Sequence, residues 1–61
     1  MATERVFSCG NSTYYVVQWY SYFMVYRQGW LGRIFVGYAR NLADAVARIE
    51  RDAHCWQIKA A

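Results

Sequence analysis

The chain has 61 residues, seven Lys and Arg against four Asp and Glu, and a formal net charge of +3. A single domain of this length buries only about 60% of the surface its unfolded chain exposes, so it needs an oligomer, a staple or an unusually aromatic core. Aromatic residues make up 20% of the chain and charged residues only 18%, which favours the aromatic core, excludes a disordered segment and leaves the charge too small to single out nucleic acid as the partner.

Residues 1–3 are expected to fray at the N-terminus of this one domain, residues 1–61. Met-Ala-Thr-Glu-Arg is not followed by the apolar segment of a secretory leader, and no apolar run reaches the length of a membrane span. The expectation is therefore a cytoplasmic protein that makes no use of a membrane. Arg5-Val-Phe-Ser8 reads as a short additional strand or as an arm. Cys9-Gly-Asn-Ser12 is a turn, because Gly and Asn adopt positive φ at low cost.

From Thr13 to Arg27 nearly every residue is a β-former. Such a run is too long for one ordinary strand, so it divides into Tyr14–Trp19 and Tyr22–Arg27 around a tight turn at Tyr20-Ser21. A single long, bent strand is the other way to read it. Gln28-Gly-Trp-Leu-Gly32 is the next turn. Arg33 to Ala39 then alternates with period two, which predicts a third strand.

The period changes after Asn41. Leu42, Val46, Ile49 and Ala53 recur at helical spacing, flanked by Ala45 and Trp56, with Asp44, Arg48 and Arg51 opposite. Asn41 is a good N-cap and Asp44 sits favourably in the first turn, so a helix is predicted over residues 42–54. Asp44 and Arg48 have the acid-first i,i+4 order of a helix ion pair. Residues 57–61 are expected to fray. The fold class is thus α+β in two layers: a three-stranded antiparallel sheet, with the short N-terminal strand as an optional fourth, backed by one C-terminal helix.

One helix covers one face of such a sheet. Alternation sorts the strand residues into a core set (Tyr15, Val17, Trp19, Phe23, Val25, Ile34, Val36, Tyr38) and an outward set (Tyr14, Val16, Gln18, Tyr22, Met24, Tyr26, Arg33, Phe35, Gly37). Both sets are largely apolar, so an exchange of the two leaves the conclusion standing: one apolar face lacks a cover. Residues 1–8 and 56–61 could cover it, a second copy could, or another macromolecule could. The candidate binding residues are Tyr14, Tyr22, Met24, Tyr26, Arg27, Arg33, Phe35 and Arg40, since Tyr and Arg dominate binding hot spots and Met adapts to irregular surfaces.

The order Trp19-Tyr-Ser-Tyr-Phe-Met-Val-Tyr-Arg27, a Gly-containing turn, Ile34-Phe-Val-Gly-Tyr38 and Leu42-Ala-Asp-Ala-Val-Ala-Arg-Ile-Glu50 resembles the AP2 domain and the arm-binding domain of phage tyrosine integrases. Phe35-Val36-Gly37 and Asn41-Leu42-Ala43-Asp44-Ala45 stand where that family has its aromatic-hydrophobic-Gly segment and its helix start. The resemblance implies a three-stranded sheet backed by a helix, with the sheet face in the DNA major groove and roles for Arg27, Arg33 and the outward aromatics. The first two strands here carry Tyr, Val and Gln where the family places Arg and Lys.

Groups for catalysis do not converge in the sequence. The acids are Glu4, Asp44, Glu50 and Asp52, and three of them lie on the helix. His54 is the only histidine, and neither Cys9 nor Cys55 stands in a nucleophile or metal-ligand spacing. In a reducing compartment both cysteines are expected to be free thiols, although a disulfide between them would close a long loop. No enzyme, cofactor or metal site is expected. The expected function is that of a small regulatory or inhibitory binding protein of phage or bacterial type. It would use a Tyr- and Met-rich sheet face against another protein, an acidic one by charge, or against itself as a homodimer. DNA binding through the same face is the alternative.

Overall fold

A computed structural model describes residues 2–61. The chain runs β1 (Thr3–Cys9), β2 (Ser12–Trp19), β3 (Tyr22–Gln28), β4 (Arg33–Ala39), α1 (Leu42–Ala53) and β5 (Lys59–Ala60). The α+β class, the antiparallel sheet and the single helix are as expected from sequence. The sheet itself is larger: five strands in the order β4-β3-β2-β1-β5, where the sequence predicts three with a short N-terminal fourth as an option. Arg5–Ser8 falls within a full strand paired with β2 from Thr3↔Gln18 to Cys9↔Ser12. The last residues pair with β1 through Phe7↔Ala60 and Ser8↔Lys59, and the Ala61 N–H donates to the Val6 carbonyl at 2.9 Å. A two-residue strand has no sequence periodicity to announce it, and it exists only because β1 offers an open edge.

The helix begins and ends as its residues dictate. The Asn41 side chain accepts from the Asp44 N–H at 2.8 Å, and the Asn41 carbonyl accepts from the Ala45 N–H at 3.0 Å. At the other end His54 turns left-handed (φ 50°), and the Cys55 N–H reaches the Glu50 carbonyl at 3.1 Å. Asp44 and Arg48 do not pair: among the described residues the ion pairs are Arg27–Asp52 and Arg33–Glu4. Trp56 is exposed and does not flank the buried stripe, because the left-handed turn at His54 redirects the chain before it; Ile58 packs on the core in its place.

Register decides which residues lie under the helix, and here the sequence-based sorting needs correction. The two-residue turn Tyr20-Ser21 pairs Trp19 with Tyr22, hence Val17 with Met24, Val16 with Val25 and Tyr15 with Tyr26. Partners in an antiparallel ladder share a face, so odd residues of β2 lie with even residues of β3. The expected core set had placed Tyr15, Val17 and Trp19 with Phe23 and Val25. Tyr14 and Val16 occupy that place instead. In β4 a bulge opposite Val25/Tyr26 leaves Phe35 paired with Tyr26 and Gly37 with Val25, so Tyr38 opposite Met24 returns to the same face as Phe35.

The core under α1 is Cys9, Tyr14, Val16, Val25, Ala39, Ala45 and Ile49, ringed by half-buried side chains that include Phe7, Phe23, Leu42 and Ile58. Tyr14 is the largest fully buried side chain. Its hydroxyl donates to Asp52 Oδ2 at 2.7 Å, and Arg27 Nη1 donates to the same oxygen at 3.1 Å. A tyrosine can be buried this way because the helix supplies an acceptor for its one polar group.

Burial, and secondly the bond to Asp52, push the Tyr14 hydroxyl up from its ordinary value of 10 to about 12. A group whose folded value is raised stabilises the fold fully below its unfolded value and loses that contribution as pH rises through the folded one. Tyr14 therefore makes the protein lose stability between about pH 10 and pH 12. Tyr14→Phe should cost about 1–2 kcal/mol at neutral pH. It should also flatten that part of the alkaline profile, as read by thermal unfolding followed by circular dichroism.

Candidate functional site

Among the described residues the terminal segments do not cover the far side of the sheet. β1 and β5 add to its edge and so widen the open face. On that face Tyr22, Tyr38, Phe35 and Tyr26 form a continuous run of edge-to-face rings, with centroids 5.8, 5.0 and 5.5 Å apart in that order. Such pairs hold each other's orientation, so the run is a preorganised surface. Met24 lies within it, and the Tyr26 hydroxyl approaches its sulfur at 3.7 Å. Tyr22, Phe35 and Tyr38 are exposed.

Arg33 spans the same face. Its guanidinium stacks 3.7 Å from the Tyr15 ring centroid and reaches Glu4 with two bonds, 2.6 and 3.3 Å. The Tyr15 hydroxyl donates to Gln28 Oε1 at 2.8 Å, which holds the ring in place beneath it. Their mutual hydrogen bond lowers the Glu4 carboxyl and raises the Arg33 guanidinium from their ordinary values. The charge of Arg33 is thereby answered inside the protein, and its plane has become part of the aromatic surface.

At one corner the face meets the start of α1. A groove of about 610 Å³ lies there, lined by Tyr22, Tyr38, Ala39, Arg40, Asp44 and Arg48. The Arg48 side chain can lie on β4 because residue 37 is Gly: a Cβ there would stand 3.0 Å from Arg48 Nη1 and 3.2 Å from its Cδ. Arg48 Nε is buried with no hydrogen-bond partner. Neither Arg40 nor Arg48 takes part in an ion pair among the described residues.

At the opposite corner the β3–β4 turn closes with a bond from the Gly29 N–H to the Gly32 carbonyl at 2.8 Å. It carries Trp30 and Leu31 fully into solvent, with Ile34 half exposed behind them. Two large apolar residues at the tip of a four-residue turn have nothing to pack on among the described residues.

Of the residues singled out from sequence, Tyr22, Met24, Tyr26, Arg33 and Phe35 come together on the open face, and Arg40 lines its corner groove. Tyr14 does not: it is buried beneath the helix. Arg27 is also on the helix side, bound to Asp52. Tyr15, Trp30, Leu31, Tyr38 and Arg48 were not singled out. Counting register across the two-residue turn would have found Tyr15, and the Gly-Trp-Leu-Gly sequence itself marks the tip. Tyr38 depends on the bulge, and Arg48 on a contact between elements that no sequence period encodes. No family model matches the chain, and comparison with curated proteins and with solved structures finds no match. No helix among the described residues is long and apolar enough to cross a membrane.

Arg48→Met keeps the stem that packs on Gly37 and removes a buried, unpartnered N–H. Its thermal midpoint should equal or exceed that of the wild type, and a drop of more than a few degrees would make Arg48 a support of the fold. Trp30→Ser with Leu31→Ser should leave the unfolding free energy within about 0.5 kcal/mol of the wild type, since exposed positions contribute little.

Proposed function

We propose that this protein acts by binding another protein, with the open sheet face as the contact surface and regulation or inhibition by occupancy as its role. The observation that carries this reading is the uncovered run of Tyr22, Tyr38, Phe35 and Tyr26, a preorganised aromatic surface with no segment among the described residues placed over it. Interface centres are rich in such residues and poor in charge. Arg40 and Arg48 at the rim, unpaired among the described residues, favour a partner with acidic groups beside an apolar patch.

The same charges favour a different protein over a second copy. Of the four acids, Glu4 is bound to Arg33, Asp52 to Arg27 and Tyr14, and Asp44 accepts from the Arg40 N–H at the helix start. A second copy would bring little free acid to meet Arg40 and Arg48, and each copy carries a net +3. DNA binding through this face, which the resemblance to the AP2 and integrase domains implies, is less favoured. Of its two arginines, Arg27 lies on the other side of the sheet and Arg33 is answered by Glu4. A face that reads a groove needs cations free to meet phosphates and base edges.

Light-scattering mass across a concentration series, with and without duplex DNA at low salt, tests the choice. A monomer that ignores DNA is the expected result. A concentration-dependent dimer would assign the face to self-association, and a complex with DNA that dissolves as salt rises would assign it to nucleic acid. Once a partner is in hand, Tyr22→Ala with Phe35→Ala should weaken binding by at least about tenfold while the helical circular dichroism signal stays intact.

A further inference from the structure

Cys9 and Cys55 stand far apart in the chain and meet in the fold. Cys9 is the last residue of β1, on its helix-facing side, and is buried. Cys55 follows the left-handed residue His54, whose turn drops the chain from the end of α1 onto the β1–β2 hairpin. The Cys9 thiol donates to the Cys55 carbonyl at 3.1 Å. That contact sets the Cys9 sulfur against the backbone of the residue that carries the second thiol. Gly10, at φ +64°, makes the turn that brings the hairpin against this corner, its Cβ position 3.9 Å from the Cys55 sulfur.

The two sulfurs are not equivalent. Cys55 is half-buried and lines a small cavity of about 220 Å³ with Ser8, Gly10, Gln57 and Lys59. Cys9 lies behind it in the core. Burial, foremost, raises the Cys9 thiol from its ordinary value to about 11. The neighbouring Cys9 side chain, foremost, and then the backbone at Gln57 lower that of Cys55 from its ordinary value. An accessible thiol that ionises more readily than a buried thiol standing behind it is the arrangement of an attacking and a resolving cysteine.

We propose that Cys9 and Cys55 form a thiol–disulfide exchange site for an anionic low-molecular-weight disulfide of the glutathione class. Lys59 beside the cavity suits the carboxylates of such a molecule. The Cys55 thiolate attacks one sulfur of the small disulfide, its S–S bond breaks, and one glutathione leaves as thiolate while the other stays bonded to Cys55. Cys9 then attacks the Cys55 sulfur, gives its proton to the departing glutathione and forms the Cys9–Cys55 disulfide. The two protein thiols are oxidised by two electrons, and one small disulfide is reduced to two thiols. The bond ties the end of β1 to the chain that follows α1. It closes a long loop, so the oxidised protein should unfold at a temperature higher by roughly 10 °C or more.

The test is incubation of the folded protein with oxidised glutathione, followed by mass spectrometry without reductant. The expected wild-type product is a monomer lighter by two hydrogens, with the higher unfolding temperature. Cys9→Ala should trap a single glutathione on Cys55, and Cys55→Ala should take up none. Limited alkylation of the unmodified wild type provides a reading that no variant can disturb, and Cys55 should be labelled well before Cys9. The proposal is overturned if the wild type stays a dithiol or gives only intermolecular disulfides. It is equally overturned if Cys9→Ala takes up no adduct while the wild type labels at Cys9 first or at both positions alike.

Discussion

The pairing of Trp19 with Tyr22 across a two-residue turn is the constraint on which the rest of this structure depends. Side chains alternate faces along a strand, so a slip of one residue there would exchange every contact of β2 between core and surface. With this register Tyr14 and Val16 go beneath the helix, and Tyr14 finds Asp52 in the last turn of α1. Arg27 is drawn to the same carboxylate. Three elements are thus joined at one carboxylate oxygen, and the register that buries Tyr14 also turns Tyr15, Tyr22 and Tyr26 outward.

A domain of 61 residues has little core with which to stabilise so many strands. This one relies on a few large side chains, Tyr14 and Ile49 foremost, and on a sheet whose ladders run the full length of β1, β2 and β3. The single helix is long enough to cover one side of that sheet and no more. The uncovered aromatic surface is therefore a direct outcome of the architecture. Its rings pack against each other edge to face, and Arg33 stacked on Tyr15 closes the gap between them and Glu4. A surface organised in this way loses little side-chain freedom when a partner lies on it.

Charge follows the same division of labour. Two of the seven cations are spent within the fold, Arg27 at Asp52 and Arg33 at Glu4. Arg40 and Arg48 stand where the aromatic run meets the helix start and take part in no ion pair among the described residues. Glycine at position 37 is what lets Arg48 lie flat on β4, so a backbone feature of the edge strand sets the electrostatics of the corner groove. The apolar tip at Trp30 and Leu31 marks the other end of the molecule, and the two corners frame the open face between them.

Much was legible in the amino-acid sequence itself. The helix over residues 42–53, its Asn41 cap, the turns and the three strands from Tyr14 to Tyr38 follow from local period and local hydrogen bonding, which neighbouring residues determine among themselves. So does the conclusion that one helix leaves an apolar face uncovered, because both faces of the strands are apolar. What only the tertiary structure decided is which face that is. The choice rests on cross-strand register and on one bulge, and both are relations between segments that no single period contains. The full length of β1 and the existence of β5 were settled in the same way, by an open edge offering its backbone groups to whatever chain lay beside it. The meeting of Cys9 with Cys55, and of Arg48 with Gly37, belongs to the same class: contacts across long stretches of chain, specified only once the sheet and helix had been packed together.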